Sequence, residues 1–570
     1  MQRYTIRPNE GKRRHMRVEY FFEAPHDNPR LMVSYWRPGR YERGNFVKNF
    51  IGVRVESAGN ELNSRKISPH QWEVDARKGE ALKVTYELYA GDLSAGNTYC
   101  DRNFLLINPV NALMYTAGLE DAPSELEVEL PADWQAVTPM ELVRGRACAA
   151  RNLQHLMDSP ILAAANLRHL EYEVEGVHFH IDIYGETELD EERVVEHFRA
   201  FTEAQIRVFG GFPTRQYRFM LLFMPVRMHH GVEHEESTVI ILGPAEDLTK
   251  PEMYAEFLGV SSHELYHTWN VKRFRPAEWT PYDFTGPSAS RLGYVAEGIT
   301  TYMGDKLLWQ SGVFEDADFL RELAVHLQRH KHGKGRLNLS LADSSVDTWV
   351  DGYGRGTPHR RVSIYGEGAM FAFVLDQWLF EASGGSADLS TVMRKMYATV
   401  DPAKGFTEDE FWDLMADTAD ADWVKLRAEV IDGRGFLESY FYKALEMVGL
   451  KVVEKAPASN VKSAFGLHLE EIDGRMVVWN IAPDSPADHG DLAHDDIVLE
   501  INEADAKTFM ETDHGFSPVS LRMSYRSGYK RMREMLKPDG RVHFHDIEIK
   551  PTATRPGTPF HRWKTLGFRN

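Results

Sequence analysis

The stretch SSHELYHTWNVKRFRP (Ser261–Pro276) decides the reading of the chain, because it sets two histidines four residues apart in a segment of helical periodicity. On a helix, His263 and His267 project from one face, so both imidazoles can reach a single ion at about 2.0–2.1 Å. Glu264 lies about 100° further round and can hold a water beside the metal without ligating it. A third ligand is needed. The next apolar helical segment, RLGYVAEGITTYMGD, offers Glu297, 30 residues after His267, and two antiparallel helices would bring it opposite the histidine pair. Two histidines, one carboxylate and an open fourth position form a catalytic zinc pattern, with one Zn2+ per chain. The competing reading is a helix with two satisfied histidines and a capping glutamate.

Composition narrows the function classes. With 570 residues, 43% of them hydrophobic, the chain can bury several cores and is expected to form three or four domains. A formal net charge of −19 argues against a nucleic-acid partner, which needs a basic face, and favours a cationic or polar substrate. Cys100 and Cys148 are the only cysteines, too few for a disulfide framework or a thiolate zinc cluster, so a metal must be held by His and carboxylates. No run approaches the roughly 18 apolar residues that span a bilayer, so no membrane association is expected. The opening MQRYTIRPNEGKRRHMR lacks the apolar core of a secretory signal, which predicts a cytoplasmic protein, or a periplasmic or secreted one if a leader was removed.

Periodicity organises the chain as a multidomain α+β protein. From Tyr4 to about Trp134, segments such as RHMRVEYFFEA and ALKVTYELYAG alternate and are separated by turn residues, predicting an N-terminal antiparallel β domain over 1–165. Strands VHFHIDIYG, YRFMLLFMP and STVIILG surround a helix at Asp190–Phe209, and after Pro251 the pattern is helical to about Leu450. These form an α/β-then-helical catalytic domain over 166–452. The segment VEKAPASNVKS reads as a linker, and the strands after it as a separate small β module within 453–570.

At this point the residues resemble a known family. HELYHTWNVKRFRP is similar to the zinc-binding segment of the glycyl aminopeptidase family, thermolysin-like gluzincin metallopeptidases that carry a C-terminal PDZ domain. Also similar are WRPGRY (Trp36–Tyr41), LMDSPILAA (Leu156–Ala164), HGVEHEES (His230–Ser237), AEGITTYMGD (Ala296–Asp305) and IYGEGAMFAFVLD (Ile364–Asp376), so the resemblance covers nearly the whole chain. It implies a thermolysin-like catalytic fold, zinc ligands at His263, His267 and Glu297, and Glu264 as general base. It also implies that HGVEHEES lies along the substrate as an edge strand, with Glu233 binding the free α-amine and Gly231 and His234 beside it. Tyr365 of YGEG stands where the family places an oxyanion-stabilising tyrosine. The implied activity is zinc-dependent removal of the N-terminal residue, glycine or alanine, from peptides with a free N-terminus. Departures fall at His230 and Val232, at Glu367 in place of a lysine, and in GYVAEG, where the first and third could reshape the pocket for the leading side chain.

Other readings of the same residues remain. MHHGVEHEES contains enough histidines and glutamates for a second metal site, although strand alternation sends neighbours to opposite faces. Lys272, Arg273 and Arg275 read as a solvated helix end favoured by the dipole, or as partners for carboxylates. Thr301 and Asp305 could orient ligands from behind. FGLHLEE (Phe465–Glu471) and APDSPADHGDLAHDDIVLEINE (Ala482–Glu503) resemble a PDZ domain, implying a carboxylate-binding loop at Phe465, Gly466 and Leu467 that takes peptide C-termini or is filled by the protein's own chain. Two rival functions follow: a zinc endopeptidase, for which Glu233 is unimportant, and a PDZ-mediated interaction protein with a degenerate peptidase site.

Overall fold

The computed structural model describes residues 2–9, 11–144, 147–513, 519–553 and 555–566. Strict alternation builds the N-terminal domain: in HMRVEYFFE, Met16, Val18, Tyr20 and Phe22 are buried while their neighbours face outward. Strands β1 (Gln2–Pro8), β2 (His15–Glu23), β3 (Phe50–Ser57), β4 (Ala81–Tyr89), β5 (Ser124–Val128) and β6 (Ala147–Ala150) belong to an eight-stranded sheet in the order β6-β5-β1-β2-β4-β3. The domain departs from the antiparallel expectation at one pair, because β1 runs parallel to β5. A parallel neighbour requires a long connection, and most of the domain lies between the two.

The catalytic region opens with β7 (Arg168–Val174), β8 (Val177–Tyr184), helix α1 (Glu191–Phe209), β9 (Gln216–Phe223), β10 (Met228–Glu233) and β11 (Ser237–Gly243), in the sheet order β7-β8-β9-β11-β10. The Asp190 side chain caps α1 by accepting from the Arg193 N–H, and Gly210 closes it at φ 79°. Both faces of β9 are apolar because both are covered. Phe219 and Leu221 join the helical core, while Met220 and Leu222 pack with Phe104, Leu106 and Leu162 of the N-terminal domain. The short strand β10 ends the sheet and borders the site.

The helical part includes α2 (Pro251–Tyr266), α3 (Thr300–Gln310), α4 (Asp316–His332) and α5 (Gly366–Ala382). Pro251 starts α2, where its missing N–H costs nothing. Glu297 is expected on a regular helix, but it sits in a π-helical turn, Tyr294–Ile299, that leads into α3. Such turns shift the side chains that follow by one position, and they recur at functional sites. Gly298 and Gly368 let this turn touch α5, since a Cβ on Gly368 would lie 2.7 Å from the Gly298 Cα. No described helix is long and apolar enough to cross a membrane.

The end of the chain is less separate than its sequence predicts. VEK of the expected linker lies in β12 (Leu450–Lys455), and NVKS opens α6 (Asn460–Phe465). A six-stranded sheet follows, containing β13 (Leu467–Ile472), β14 (Arg475–Ile481), β15 (Ile497–Ile501), β16 (Leu521–Ser527) and β17 (Lys530–Leu536) in that order. The chain then returns to the catalytic core: β18 (Asp546–Pro551) pairs with β12, and α7 (Pro559–Lys564) inserts Trp563 beside Trp309 and Phe373. The Trp563 indole N–H donates to the buried Asp376 carboxylate at 2.8 Å. A buried indole with a satisfied N–H anchors the tail in the catalytic core.

Candidate active site

The end of α2 and the π turn bring His263, His267 and Glu297 together. Their facing atoms lie 3.0 Å (Nε2 to Nε2), 3.3 Å (His267 Nε2 to Glu297 Oε2) and 3.7 Å (His263 Nε2 to Glu297 Oε2) apart. Tetrahedral ligands at about 2.0–2.1 Å from a zinc ion stand about 3.3 Å from one another, so the set fits such an ion. The outer atoms of these three side chains are engaged. His267 donates its Nδ1–H to the Asn270 carbonyl at 2.8 Å, and Thr301 stands 3.4 Å from His263 Nδ1 while donating to the Glu297 carbonyl. Tyr41 donates its phenol to Glu297 Oε1 at 2.6 Å, leaving Oε2 for the centre. Such partners fix ring orientation and ligand basicity.

Charge also favours a cation here. Glu233, Glu264 and Glu297 are buried around the two imidazoles. Burial opposes a charged His267, yet Glu297, Glu233 and Glu264 together pull its pKa up to about 9. Burial pushes the Glu264 carboxyl above its ordinary range, with Glu233 and Glu297 adding to the effect and His267 opposing it. Three buried carboxylates facing two imidazoles are the environment a divalent ion stabilises.

Glu264 reaches this centre beneath β10. A Cβ on Gly231 would stand 2.2 Å from Glu264 Oε1, so the strand passes the carboxylate only because that position is glycine. Glu233 lies at the end of β10, and ligand atoms of Glu233, Glu264 and His267 lie within 4.8 Å of one another. Its Oε1 is buried without a hydrogen-bond partner. His234, one residue on, faces away, as strand alternation requires. It meets Asp158 Oδ1 at 3.0 Å, whose carboxylate also takes Lys272 Nζ at 2.9 Å and the Glu235 N–H at 2.8 Å. His229, His230, Glu235 and Glu236 diverge as well, and Arg151 pairs with both Glu235 and Glu236.

Tyr365 precedes α5, its ring 6.3 Å from that of His263 and its hydroxyl 3.2 Å from that of Tyr353. Burial, followed by the Glu297 charge, holds its phenol well above the usual range, so it remains a donor. The solvated-helix-end reading of the cations is overturned, because α2 stops at Tyr266 and Lys272 is buried against Asp158. Arg275 stacks on Tyr282 and Arg273 on Tyr397. Glu367 turns to His330 Nδ1 at 3.2 Å, and Asp305 faces Gly259. Tyr41, Asp158 and Tyr353 have no spacing relation to the HELYH motif, and the only signal for the first two was their place in WRPGRY and LMDSPILAA.

Residues 3–165 match the peptidase M61 N-terminal domain, and residues 256–371 match the M61 glycyl aminopeptidase domain. The chain carries both the N-terminal and the glycyl aminopeptidase domains of M61. The N-terminal match of this M61 chain contains Tyr41 and Asp158, and the second match contains the HELYH motif, Glu297 and Tyr365. The M61 chain shares its fold with an aminopeptidase N family protein from Idiomarina loihiensis, at 24% identity and TM-score 0.91, covering 99% of this chain and 100% of that one. An M1 zinc metallopeptidase from Deinococcus radiodurans aligns at 14% identity and TM-score 0.48, over 76% of this chain and 94% of the other. No curated protein matches the M61 chain.

Two outcomes follow from the surrounding partners. Tyr41→Phe is expected to weaken zinc binding about 10–100-fold, read by chelator competition, with the circular dichroism spectrum unchanged. Unchanged zinc affinity would remove Tyr41 from the site. Asp158→Asn strands the buried Lys272 ammonium and is expected to lose about 3–5 kcal/mol in urea unfolding. A loss below about 1 kcal/mol would show that Lys272 finds water instead.

Proposed function

We propose that the protein is a zinc-dependent aminopeptidase that removes small N-terminal residues, glycine or alanine, from peptides. The observation that carries this reading is Glu233, a buried carboxylate with an unpartnered oxygen at the end of β10, beside the three-donor cluster. A substrate ammonium pairs with that oxygen, which fixes the first peptide bond beside Glu264. His263, His267 and Glu297 would hold the zinc, and when bound the ion supplies Lewis-acid polarisation and acidifies water. Glu264 accepts the proton from the attacking water and delivers it to the leaving amine. The protonated Tyr365 phenol donates to the oxygen that becomes negative. Burial of the acids among protein groups excludes bulk water from this exchange.

The six-stranded C-terminal sheet is read as a PDZ-like domain that braces the enzyme rather than capturing peptide ends. Phe465 and Leu467 are core side chains, and the Gly466 N–H already closes α6 onto the Val461 carbonyl. Phe544 of the same chain packs on His468 of β13 and on His332 of α4. Arg355 grips Asp495 and the Val478 carbonyl two residues from Tyr353, which touches Tyr365. This contact path supports a bracing role for the loop behind the active site.

The reading is tested with paired aminoacyl and N-acetyl-aminoacyl reporters, before and after metal removal and zinc restoration. Turnover much faster on free-amine than on blocked reporters, lost to chelation and restored by zinc, is the expected result. Equal cleavage of blocked reporters would establish the endopeptidase alternative.

A further inference from the structure

The N-terminal domain holds a cavity of about 320 Å³ whose wall is unusually basic for a chain of net charge −19. Four cations line it, Arg37, Arg40, Arg43 and Lys48, against two carboxylates, Glu42 and Asp92. Arg40 pairs with Glu42, and Lys48 stands 3.6 Å from Asp92. Among the described residues, Arg37 and Arg43 have no carboxylate within ion-pair distance; Arg37 donates to the Pro38 carbonyl and His230, and Arg43 to His70. Arg37 is 3% exposed and feels the charges of Glu233 and Glu264 without a carboxylate in contact, so a further anion within reach would be favoured.

Arg37 connects this cavity to β10 through its contact with His230. Arg37 and Arg40 form the two sides of a tight turn, and a Cβ on Gly39 at its tip would stand 2.2 Å from Glu233 Oε2. Beyond Glu233 the chain folds back, the His234 N–H donating to the Ser237 carbonyl, so a peptide anchored at Glu233 can extend only along β10 toward Met228. At about 3.3 Å per residue, its third residue comes level with His230. There Arg37 Nη2 is 3.3 Å from His230 Nε2. Burial, with Arg37 and Arg40 adding, pushes the His230 pKa down to about 3, so the ring accepts from Arg37 without competing for an anion.

We propose that Arg37 and Arg40, with Arg43 and Lys48 behind them, receive a substrate carboxylate three or four residues from the N-terminus. This rests on the aminopeptidase reading and narrows its substrates to short peptides ending there, or to longer ones with an acidic side chain at that position. Guanidinium–carboxylate contacts with paired donors supply both affinity and register.

The test uses the full-length protein and three ligands: trialanine, its C-terminal amide, and an amide with aspartate at the third residue. Binding is measured by calorimetry on the Glu264→Gln protein, and KM and kcat on the active one. Trialanine is expected to bind at least about tenfold more tightly than its amide, through KM rather than kcat. Arg40→Gln and Arg43→Gln should each bring the acid-to-amide ratio toward one. Recovery of tight binding by the aspartyl amide assigns the contact to a side chain, and its failure assigns it to the C-terminus. Equal binding of acid and amide, or a ratio that neither variant moves, overturns the proposal. If acid and amide are equal but free-amine reporters still turn over, only this inference falls. If no reporter turns over while the acid is still preferred, the aminopeptidase reading falls and the carboxylate site stands.

Discussion

Glu264→Gln is expected to lower kcat by about 10²–10⁴-fold while the protein still binds one equivalent of zinc. Glutamine preserves the shape that Gly231 accommodates, so β10 keeps its course and the three proposed ligands keep theirs. What is lost is the ability to take a proton from water, a function no neighbour can assume. Glu233 is the nearest carboxylate with a free oxygen, but in a bound complex that oxygen faces the substrate ammonium. Metal analysis together with steady-state kinetics separates the outcomes. Activity within threefold of the parent would show that the proton goes elsewhere, whereas loss of zinc would mean that the substitution disturbed the ligands.

Glu233→Gln should act on a different quantity. Replacing the carboxylate removes a charge-assisted contact to the substrate amine in a buried setting, with an expected loss of about 10²-fold in kcat/KM for free-amine substrates. The slow turnover of N-acetylated substrates should not fall with it, because those lack the ammonium. The ratio between the two substrate classes is therefore the decisive measurement. A variant that slows both equally would assign Glu233 to the architecture of the site rather than to recognition of the N-terminus.

Much of the centre was legible where local periodicity carries chemistry. The i,i+4 histidines needed only a helix to share a face, and Glu297 followed from the next apolar segment. Even so, the regular helix expected for Glu297 is a π turn, at the place where Gly298 closely approaches Gly368 of a helix about seventy residues away. Glu233 and His234 read as one motif, but strand alternation sends them to opposite sides, one to the reacting centre and the other to Asp158.

The helix-end reading of Lys272 failed for a related reason. A lysine after a helix is usually solvated, and only the partly buried Asp158, 114 residues earlier, lets this one be buried in an ion pair. That contact ties together LMDSP, HEES and NVK, three segments with no shared periodicity. The C-terminal strand pattern read as a separate module, and its sheet does enclose a core of its own, but the helix after it returns Trp563 to the helical core, which offers a buried acceptor, Asp376.

Local sequence pattern is enough for the chemical content: the two-histidine spacing, a carboxylate on the following apolar segment, the strands and helices that carry them, and the acidic balance. Those properties are short-range, set by periods of two and 3.6 residues. Tertiary structure alone decided what surrounds that content. Tyr41 reaches Glu297 across 256 residues, and Arg37 reaches His230 across 193. Both come from one turn of the β domain. Contacts at such separations depend on how two domains pack, since packing is governed by the shape and polarity of whole faces, and no local pattern in WRPGRY encodes which carboxylate its tyrosine will meet.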